Sequence, residues 1–385
     1  MNTFSPETYF DPLFYALGGN PARLQAFVDS VTGDINNMLQ IDGFDWNDDL
    51  LDDFTYSQVE KYVGIAPMAP VVDPDSPAIP FRKKGEVIGT GSIPRMKTID
   101  YLNEAKVRAL KKLIRRNDVT VERVREAAGA AIGEIFVEQV KSYRNSITFQ
   151  RDQMVSTGGI AYNKTNNPYG IELKLSARVP AENTVKLIGE KRWWTDAALT
   201  VEGTDCDPIA DLKAQVRWMK EHGVDACHFE VNSTYLDKVL SHSKIVAAIK
   251  ERISMRYTYS INTLDAFNTD EQILALSQVV GKPIMAKGHI SAVEYEQGGK
   301  VADRQFDSFA ANVFVLVPDG KIGDILTVEP LLYEGGRYAF ALDGKVAFTI
   351  ETDYLKKCQA YGGELTTLTV PDRPRLMRYL KPNEA

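Results

Sequence analysis

Residues 118–153 read DVTVERVREAAGAAIGEIFVEQVKSYRNSITFQRDQ, and this stretch decides the fold of the chain. Apolar residues recur at intervals of three and four, which is the spacing of one face of an α-helix. The positions are Val121, Val124, Ala128, Ala131/Ile132, Ile135/Phe136, Val140, Tyr143 and Ile147. Asp118 or Thr120 can cap the start. The pattern predicts one amphipathic helix over about 119–150, roughly 48 Å long and far beyond the usual three turns.

Gly129 and Gly133, four residues apart, allow three interpretations: a phosphate-binding loop, a dimer motif of membrane helices, or a tight helix crossing. A phosphate-binding glycine motif follows a strand and opens a helix, whereas these glycines lie inside helical periodicity. No apolar run approaches the roughly 18 residues that span a bilayer. Each interior glycine costs about 0.5–1 kcal/mol relative to alanine. We therefore expect another backbone to pack closely against this face, beside Ile132 and Phe136.

Charge is unevenly distributed along a chain whose formal net charge is −7, a value that argues against a generic nucleic-acid binder. Residues 1–60 hold eleven acidic residues against one arginine, and residues 82–125 hold thirteen basic residues against five acidic ones. Two solvated faces are one explanation. The other is that an acidic arm meets a basic segment of a neighbouring copy, because opposite fields steer association. The candidate intersubunit contacts are Arg82, Lys83 and Lys84 on one side and Asp48, Asp49, Asp52 and Asp53 on the other.

The cysteines and the N-terminus bear on the compartment. Cys206, Cys227 and Cys358 are far apart and odd in number, which predicts no disulfide framework and fits a reducing compartment. The first residues lack a basic leader followed by an apolar core, so we expect no secretory signal.

The remaining chain alternates between strand and helix patterns. We expect short helices in the first sixty residues, which bury little alone, and extended strands in the proline-rich residues 65–94. Strands follow the long helix. A compact α/β module comes next, with a helix over about 208–222 capped by Asp207-Pro208 and ended by Gly223. The module continues with the strand ACHFEV, a helix starting at Ser233 or Thr234, two further helices and the strand KPIMAKGHI. Two strands joined by the turn PDGKIG and a final run of strand alternation complete the chain.

No pattern of catalytic or metal-binding residues emerges. Cys227 and His228 are neighbours on a predicted strand and point to opposite faces, so they cannot ligate one metal together. His222 ends a helix, and His242 and His289 stand alone in turn-like settings. Trp193 and Trp194 are predicted to be core anchors. The sequence predicts no catalytic residue, no metal site and no cofactor, which favours a structural role over an enzyme.

The order of these parts resembles the major capsid protein of tailed phages, in the lambda-like capsid protein E branch with the Hong Kong 97-like fold. The similarity is most specific at residues 194–231, WTDAALTVEGTDCDPIADLKAQVRWMKEHGVDACHFEV, and at 233–249, STYLDKVLSHSKIVAAI. NVFVLVPDGKIGDI, GGELTTLTVPDRPRLMRYL and the proline-rich stretch 69–102 are similar in character. The resemblance covers about residues 60–385.

The resemblance implies an α+β fold with five segments. These are an N-terminal arm (1–65), an E-loop that overlies a neighbouring subunit (66–115), a P-domain with the spine helix (116–205), an A-domain (206–324) and P-domain return strands (325–385). It also implies self-assembly into hexamers and pentamers of an icosahedral head that encloses a double-stranded DNA genome. The inner shell face would touch the DNA without sequence specificity, assembly would take place in the bacterial host cytoplasm, and no membrane would be involved.

The chain departs from the family pattern in two respects. No long coiled-coil segment precedes the arm, so we expect a separate scaffold protein besides the portal protein. We identify no cross-linking Lys–Asn pair, so we expect an accessory decoration protein to stabilise the shell. An encapsulin-like compartment shell is one alternative, and an oligomeric α/β enzyme is a less favoured one.

Overall fold

The computed structural model describes residues 25–26, 29, 35–60, 87–102, 108, 112, 121–177, 179–257, 264, 267–297, 300–330, 337–353 and 358–383. The chain divides into two compact units. The first unit comprises residues 1–56, 92–147 and 325–369, and the second comprises 57–91, 148–324 and 370–385. Helices and strands are mixed in both, which confirms the predicted α+β class.

The helices in the described residues are α1 (Ile35–Met38), α2 (Val121–Thr157), α3 (Pro208–Glu221), α4 (Ser233–Leu240), α5 (Ser243–Tyr257) and α6 (Thr269–Val280). The strands before residue 300 are β1 (Phe44–Leu51), β2 (Thr55–Glu60), β3 (Val87–Ser92), β4 (Arg95–Leu102), β5 (Gly159–Tyr162), β6 (Leu173–Ser176), β7 (Thr184–Lys186), β8 (Ala226–Asn232), β9 (Ile284–Lys287) and β10 (Ile290–Gln297). The later strands are β11 (Lys300–Asp307), β12 (Phe314–Pro318), β13 (Gly323–Val328), β14 (Arg337–Ala341), β15 (Val346–Asp353), β16 (Cys358–Pro371) and β17 (Arg378–Lys381).

The predicted long helix is confirmed as α2, but it ends at Thr157 instead of about 150. Its apolar stripe is buried as expected at Ile135, Phe136, Val140, Tyr143 and Ile147. The helix stops where Gly158 takes a left-handed φ of 71° and donates its backbone N–H to the carbonyl of Met154. Glycine adopts that conformation at little steric cost, which makes it the usual residue after a helix.

The sheet of the first unit has the strand order β1-β13-β16-β15-β14, and β4 also pairs with β16. The expectation of helices in the acidic stretch is wrong at residues 44–51, which form β1. The sequence FDWNDDLL places Phe44 in the core, with Asp45 exposed beside it. The burial pattern does not alternate regularly beyond these two residues, and the partner strand β13 lies almost three hundred residues away in sequence.

Helix α2 lies close to β16 in the first unit. The ring of Phe136 packs against Phe348 and Tyr361, with ring centroids 4.8 and 6.0 Å apart. The side-chain amide of Gln139 donates to the Tyr361 carbonyl over 2.7 Å. A Cβ at Gly363 would lie 2.5 Å from the Tyr143 hydroxyl oxygen, a distance that real Cβ atoms essentially never show. The bare backbone of Gly363 is therefore what allows helix and strand to approach this closely.

The sheet of the second unit has the order β7-β17-β12-β8-β9. The strands β8–β9 and β17–β7 are parallel, and β12 is antiparallel to both of its neighbours. All five residues of β12 are buried, in keeping with its nearly continuous apolar sequence FVLVP. Two short ribbons, β5–β6 and β10–β11, lie in this unit, and most of the β2–β3 ribbon belongs to it as well.

Local sequence signals set the helices of the second unit. The Asp207 carboxylate accepts the backbone N–H of Ala210 and Pro208 begins α3, as predicted. Helix α4 is capped by Asn232, one residue before the predicted start. Asn268 and Glu271 form a capping box at α6. The predicted single strand KPIMAKGHI is instead β9 and the start of β10, separated by Gly288 and His289.

Candidate functional site

The four predicted acidic contact residues all lie at the surface. Asp48 and Asp49 are in β1, Asp52 and Asp53 follow it, and all four side chains are exposed. Asp53 accepts a hydrogen bond from the Thr55 hydroxyl over 2.8 Å. The run of carboxylates therefore faces solvent along one edge of the first unit. Arg82, Lys83 and Lys84, the predicted partners, lie outside the described residues, so the pairing stays a prediction.

Part of the basic segment 82–125 is used within the first unit. The Arg95 guanidinium forms an ion pair with Glu364 at 2.5 Å, and Lys97 lies 3.6 Å from the same carboxylate. Arg108 and Lys112 are exposed. Arg95 and Lys97 are therefore engaged in ion pairs within this unit.

The burial of two of the predicted spine-helix packing residues is described. Phe136 is fully buried and Gly133 is buried. The side chain of Ile132 and the surroundings of Gly129 lie outside what the structure describes. The close backbone approach expected at Gly129 and Gly133 remains a prediction.

A cluster of buried charges in the second unit was not predicted from the sequence. Arg151 on α2, adjacent to Asp152, reaches Glu230 on β8, and the Glu230 side chain is 0% exposed. Lys287 on β9 and His228 on β8 also approach Glu230 Oε1, each to 3.2 Å. One carboxylate thus joins a helix and two strands of the same unit.

The electrostatics of this cluster favour a charged Glu230. Burial alone would raise the pKa of its carboxyl, but the hydrogen bond from His228 and the charge of Arg151 lower it to about 2. Burial also raises the pKa of Asp152, against the opposing charge of Arg151. The cluster therefore holds a helix and two strands of this unit together through Glu230 Oε1. Glu230 Oε2, Asp152 Oδ2 and His228 Nδ1 are buried without a hydrogen-bond partner among the described residues.

The sequence did contain a signal for this cluster. Ile147, Arg151 and Val155 follow one another at intervals of four, so the arginine stands on the apolar stripe of α2. Glu230 similarly interrupts the apolar strand ACHFEV. A charge at a position that periodicity assigns to the core predicts a buried partner, because an unpaired buried charge is too costly.

His242 does not stand alone, contrary to the sequence-based expectation. It is buried, and its Nε2 lies 3.5 Å from Cys206 Sγ and 3.8 Å from the Glu202 carboxylate. Burial lowers the pKa of His242 and raises that of the Cys206 thiol. A buried thiol with a raised pKa is a poor nucleophile. Glu202 instead accepts the backbone N–H of Ser243 over 2.7 Å and caps α5.

The tryptophan pair is in the core, as predicted. Trp193 and Trp194 are both buried, and the Trp193 ring packs 5.4 Å from that of Phe314. The indole N–H of Trp193 donates to Asp211 over 2.8 Å. His222, at the end of α3, is exposed and stacks on Trp218 with ring centroids 3.9 Å apart.

A pair of half-buried carboxylates lies on neighbouring strands of the β1-β13-β16-β15-β14 sheet: Asp324 is in β13, and Asp372 directly follows β16. Burial and the neighbouring Asp324 carboxylate raise the pKa of Asp372 to about 6. Lys321 forms an ion pair with Asp324 and lies 3.9 Å from Asp372. Within the described ranges, no group of three or more histidine, cysteine, aspartate or glutamate side chains has the geometry to hold a metal ion. None of the helices there is long and apolar enough to cross a membrane.

The buried ion pairs around Glu230 join a helix to two strands, and the acidic residues of β1 and the loop after it lie at the surface. The class of the protein is shown by comparison with a known family. The model of the family "Phage major capsid protein E" matches residues 28–321, and the chain belongs to this family. The predicted membership of the capsid protein E family is confirmed, and with it the Hong Kong 97-like fold class. The chain is a phage major capsid protein, a component of the virion head that self-assembles into shells.

Several solved structures are similar to the chain. A phage-related protein from Bordetella bronchiseptica RB50 is 12% identical, with a TM-score of 0.45 over 92% of this chain and 96% of that chain. A putative prophage capsid protein from E. coli CFT073 is 14% identical, with a TM-score of 0.42 over 77% and 79%. The SrpI encapsulin of Synechococcus elongatus PCC 7942 is 10% identical, with a TM-score of 0.37 over 89% and 85%. No significantly similar sequence was found among curated proteins.

Proposed function

We propose that copies of this chain form the hexamers and pentamers of an icosahedral head that encloses a double-stranded DNA genome. The observation that carries this proposal is the match of the capsid family model over residues 28–321. The same match makes an encapsulin-like compartment shell the less supported alternative, since the matching family is that of phage capsids. A structural role follows from the family, and we propose in addition that the chain has no enzymatic activity.

The segment assignments are part of this proposal: arm 1–65, E-loop 66–115, P-domain 116–205 and 325–385, and A-domain 206–324. The pairing of β2 with β3 supports the E-loop assignment. Residues 61–86 connect these two paired strands. Arg82, Lys83 and Lys84 therefore belong to a loop whose two ends lie next to each other. A segment of this kind is suited to reach a neighbouring subunit.

The proposed partners follow from the charge of the chain. The exposed carboxylates of β1 and the net charge of −7 favour basic protein surfaces over a nucleic-acid backbone. We therefore propose that contact with packaged DNA is non-specific and confined to the inner shell face. Separate scaffold, portal and decoration proteins complete the head, and assembly takes place in the host cytoplasm.

Particle formation tests the proposed function directly. The full chain is expressed in a bacterium, with and without its phage or prophage background, and particles are imaged by negative-stain electron microscopy. We expect closed icosahedral shells that protect genome-length DNA from nuclease in the phage background. Shells that instead retain an enzyme cargo would support the compartment alternative, and a compact monomer under all conditions would contradict both.

A further inference from the structure

The ribbon formed by β10 and β11 is anchored on one face. Phe306 on this inner face packs against Phe149 of α2, with ring centroids 5.7 Å apart. Arg304 stacks over Tyr295 at 4.5 Å and its Nη1 donates to the Thr165 carbonyl over 3.3 Å. These contacts lie within the second unit and hold the inner face of the ribbon. At the base of the ribbon, the Asn232 side-chain amide also donates to Asp307 over 3.4 Å.

The outer face of the ribbon is exposed along its whole described length. The cross-strand pairs on this face are Ile290–Asp307, Ala292–Gln305, Glu294–Asp303 and Glu296–Val301. All eight side chains are exposed, with 56% exposure for Ile290 and 69% for Val301. Within the described part of the chain, no third strand pairs with β10 or β11. The outer face is thus an unpartnered sheet surface that carries both apolar groups and carboxylates.

The charges on this outer face are unbalanced. It carries Glu294, Glu296, Asp303 and Asp307, and its cross-strand pairs include no lysine or arginine. Glu294 and Asp303 lie directly opposite each other, an arrangement that destabilises a strand pair. In the described ranges, no ion pair offsets Glu294, Glu296 or Asp303. A basic partner would remove this repulsion, and a DNA backbone would increase it.

The chain itself contains a segment with complementary chemistry. Residues 106–116 read KVRALKKLIRR and contain six basic residues, no acidic residue and several aliphatic ones. Arg108 and Lys112, the described members of this segment, are exposed. Aliphatic side chains of the segment match Ile290 and Val301, and its positive charges match the carboxylates. Since capsid subunits assemble with copies of themselves, every copy carries both the ribbon and this basic segment.

We propose that the outer face of the β10–β11 ribbon binds the basic segment 106–116 of a second copy of this chain. The proposal rests on the proposed shell function and names one intersubunit contact within it. A head-to-tail contact of this kind closes into a ring when a whole number of equal rotations between neighbours makes one full turn. It is separate from the predicted contact between the acidic arm and Arg82–Lys84.

Charge exchange between two variants tests the proposal. The first variant carries Glu294→Lys, Glu296→Lys and Asp303→Lys, and the second carries Lys111→Glu, Lys112→Glu and Arg115→Glu. Each alone places like charges across the contact, so we expect the particle yield of each to fall at least about tenfold. When the two variants are co-expressed, alternating subunits restore opposite charges at every contact of a hexamer and leave one like-charged contact in each pentamer. We therefore expect the particle yield of the mixture to rise severalfold above that of either variant alone.

The co-expression experiment distinguishes the possible outcomes. Recovery in the mixture requires that ribbon and basic segment meet between copies, because a contact within one chain stays repulsive in both variants. Wild-type yield from the first variant alone, or no recovery on mixing, would overturn the proposal. Absence of particles from the wild-type chain would instead count against the shell function itself.

Two controls separate the contact from general charge and folding effects. Glu221→Lys, Asp237→Lys and Glu251→Lys change the net charge equally at exposed positions outside the ribbon, and this triple variant should assemble as the wild type does. The neutral variant Glu294→Gln, Glu296→Gln and Asp303→Asn relieves the cross-strand repulsion and so preserves the ribbon. We expect several-fold fewer particles from it at low salt, and unchanged yield would contradict the proposal even if the lysine variant failed to fold.

Discussion

At the scale of single residues, the buried charges around Glu230 show how ion pairing offsets the free-energy cost of removing a charge from water. Arg151, Lys287 and His228 converge on one carboxylate that has no solvent exposure. Removal of one partner from a buried pair costs about 3–5 kcal/mol, because the remaining charge stays buried without compensation. Substitution of both partners by neutral groups costs less. The cluster therefore stabilises the second unit only as a complete set.

The variant Arg151→Met should lower the free energy of unfolding by about 3 kcal/mol, since it leaves Glu230 and Asp152 short of positive charge. The double variant Arg151→Met/Glu230→Gln should lose less than the sum of the two single variants. Chemical denaturation of unassembled subunits measures these differences. Strictly additive losses would show that the two side chains do not interact as described.

The low pKa of Glu230 also predicts a pH dependence. Its folded-state pKa of about 2 lies below the ordinary value of 4.5, so the stabilisation it provides is fully present above pH 4.5. That stabilisation is lost as the pH falls from about 4.5 through 2. Glu230→Gln should remove this part of the acid sensitivity, which thermal unfolding at stepwise lower pH would detect. Equal acid sensitivity in both proteins would contradict the assignment.

At the scale of helices and strands, the approach of α2 to β16 depends on the glycine at 363. The hydroxyl of Tyr143 that faces this glycine is fixed by a 2.7 Å hydrogen bond with Thr98. Gln139 Oε1 and Thr98 Oγ1 each lie 3.0 Å from where a Cβ at Gly363 would stand. A methyl group at this position would push on three side chains that are held by hydrogen bonds, so room could be made only by breaking or bending those bonds.

Gly363→Ala should therefore destabilise the first unit by about 1–3 kcal/mol, the range for overpacking in a closely packed region. Thermal unfolding of the subunit is the measurement. Adding Tyr143→Phe removes the closest clashing atom, so the double variant should lose less than the sum of the single changes. As a comparison, Gly362→Ala meets mainly the rotatable Thr349 hydroxyl and should be milder.

The sequence predicted the elements whose signals are local. The three-and-four spacing predicted α2, and Asp207-Pro208 and Gly223 predicted both ends of α3. It failed where the deciding contact is distant in sequence. Residues 44–51 form a strand because β13 is their partner, and no local pattern contains that information. The extension of α2 to Thr157 was missed because Arg151 and Asp152 look solvent-exposed until Glu230 is known to face them.

In the candidate site, too, the features with a local sequence signal were predicted and those that depend on distant contacts were not. Exposed charge runs were recognised from composition alone, and Asp48, Asp49, Asp52 and Asp53 are indeed at the surface. The outer face of the β10–β11 ribbon was not recognised, because its carboxylates become one surface only through the cross-strand register. Glu294 and Asp303, nine positions apart in sequence, are direct neighbours in the ribbon.

At the scale of the whole molecule, the separation of charge along the chain is the feature most relevant to assembly. The acidic first sixty residues and the basic segment that follows belong to every copy, so each subunit can both offer and accept an electrostatic contact. Interactions of exposed charges are screened beyond about 10 Å at 0.1 M salt, so such contacts guide association mainly at short range. Which of these contacts persist then depends on how well the two subunit surfaces fit each other in shape.

The variant Arg82→Glu, Lys83→Glu and Lys84→Glu should leave the subunit folded but block or deform assembly, because the acidic arm would then meet like charge. Electron microscopy of the particles, with circular dichroism of the subunit, is the measurement. Lys164→Glu, Lys174→Glu and Lys213→Glu make the same charge change at exposed positions elsewhere and should not affect assembly. Normal particles from the first variant would argue against the proposed role of the loop.

The placement of β17 has a consequence for synthesis on the ribosome. Residues 378–381 form an interior strand between β7 and β12, so translation must reach them before this sheet can close. A nascent polypeptide that has emerged only as far as β12 still exposes an open strand edge where β17 belongs. The five-stranded sheet is therefore completed only after residues 378–381 have been synthesised, and until then the unpaired edge of β12 is a site at which nascent chains can aggregate.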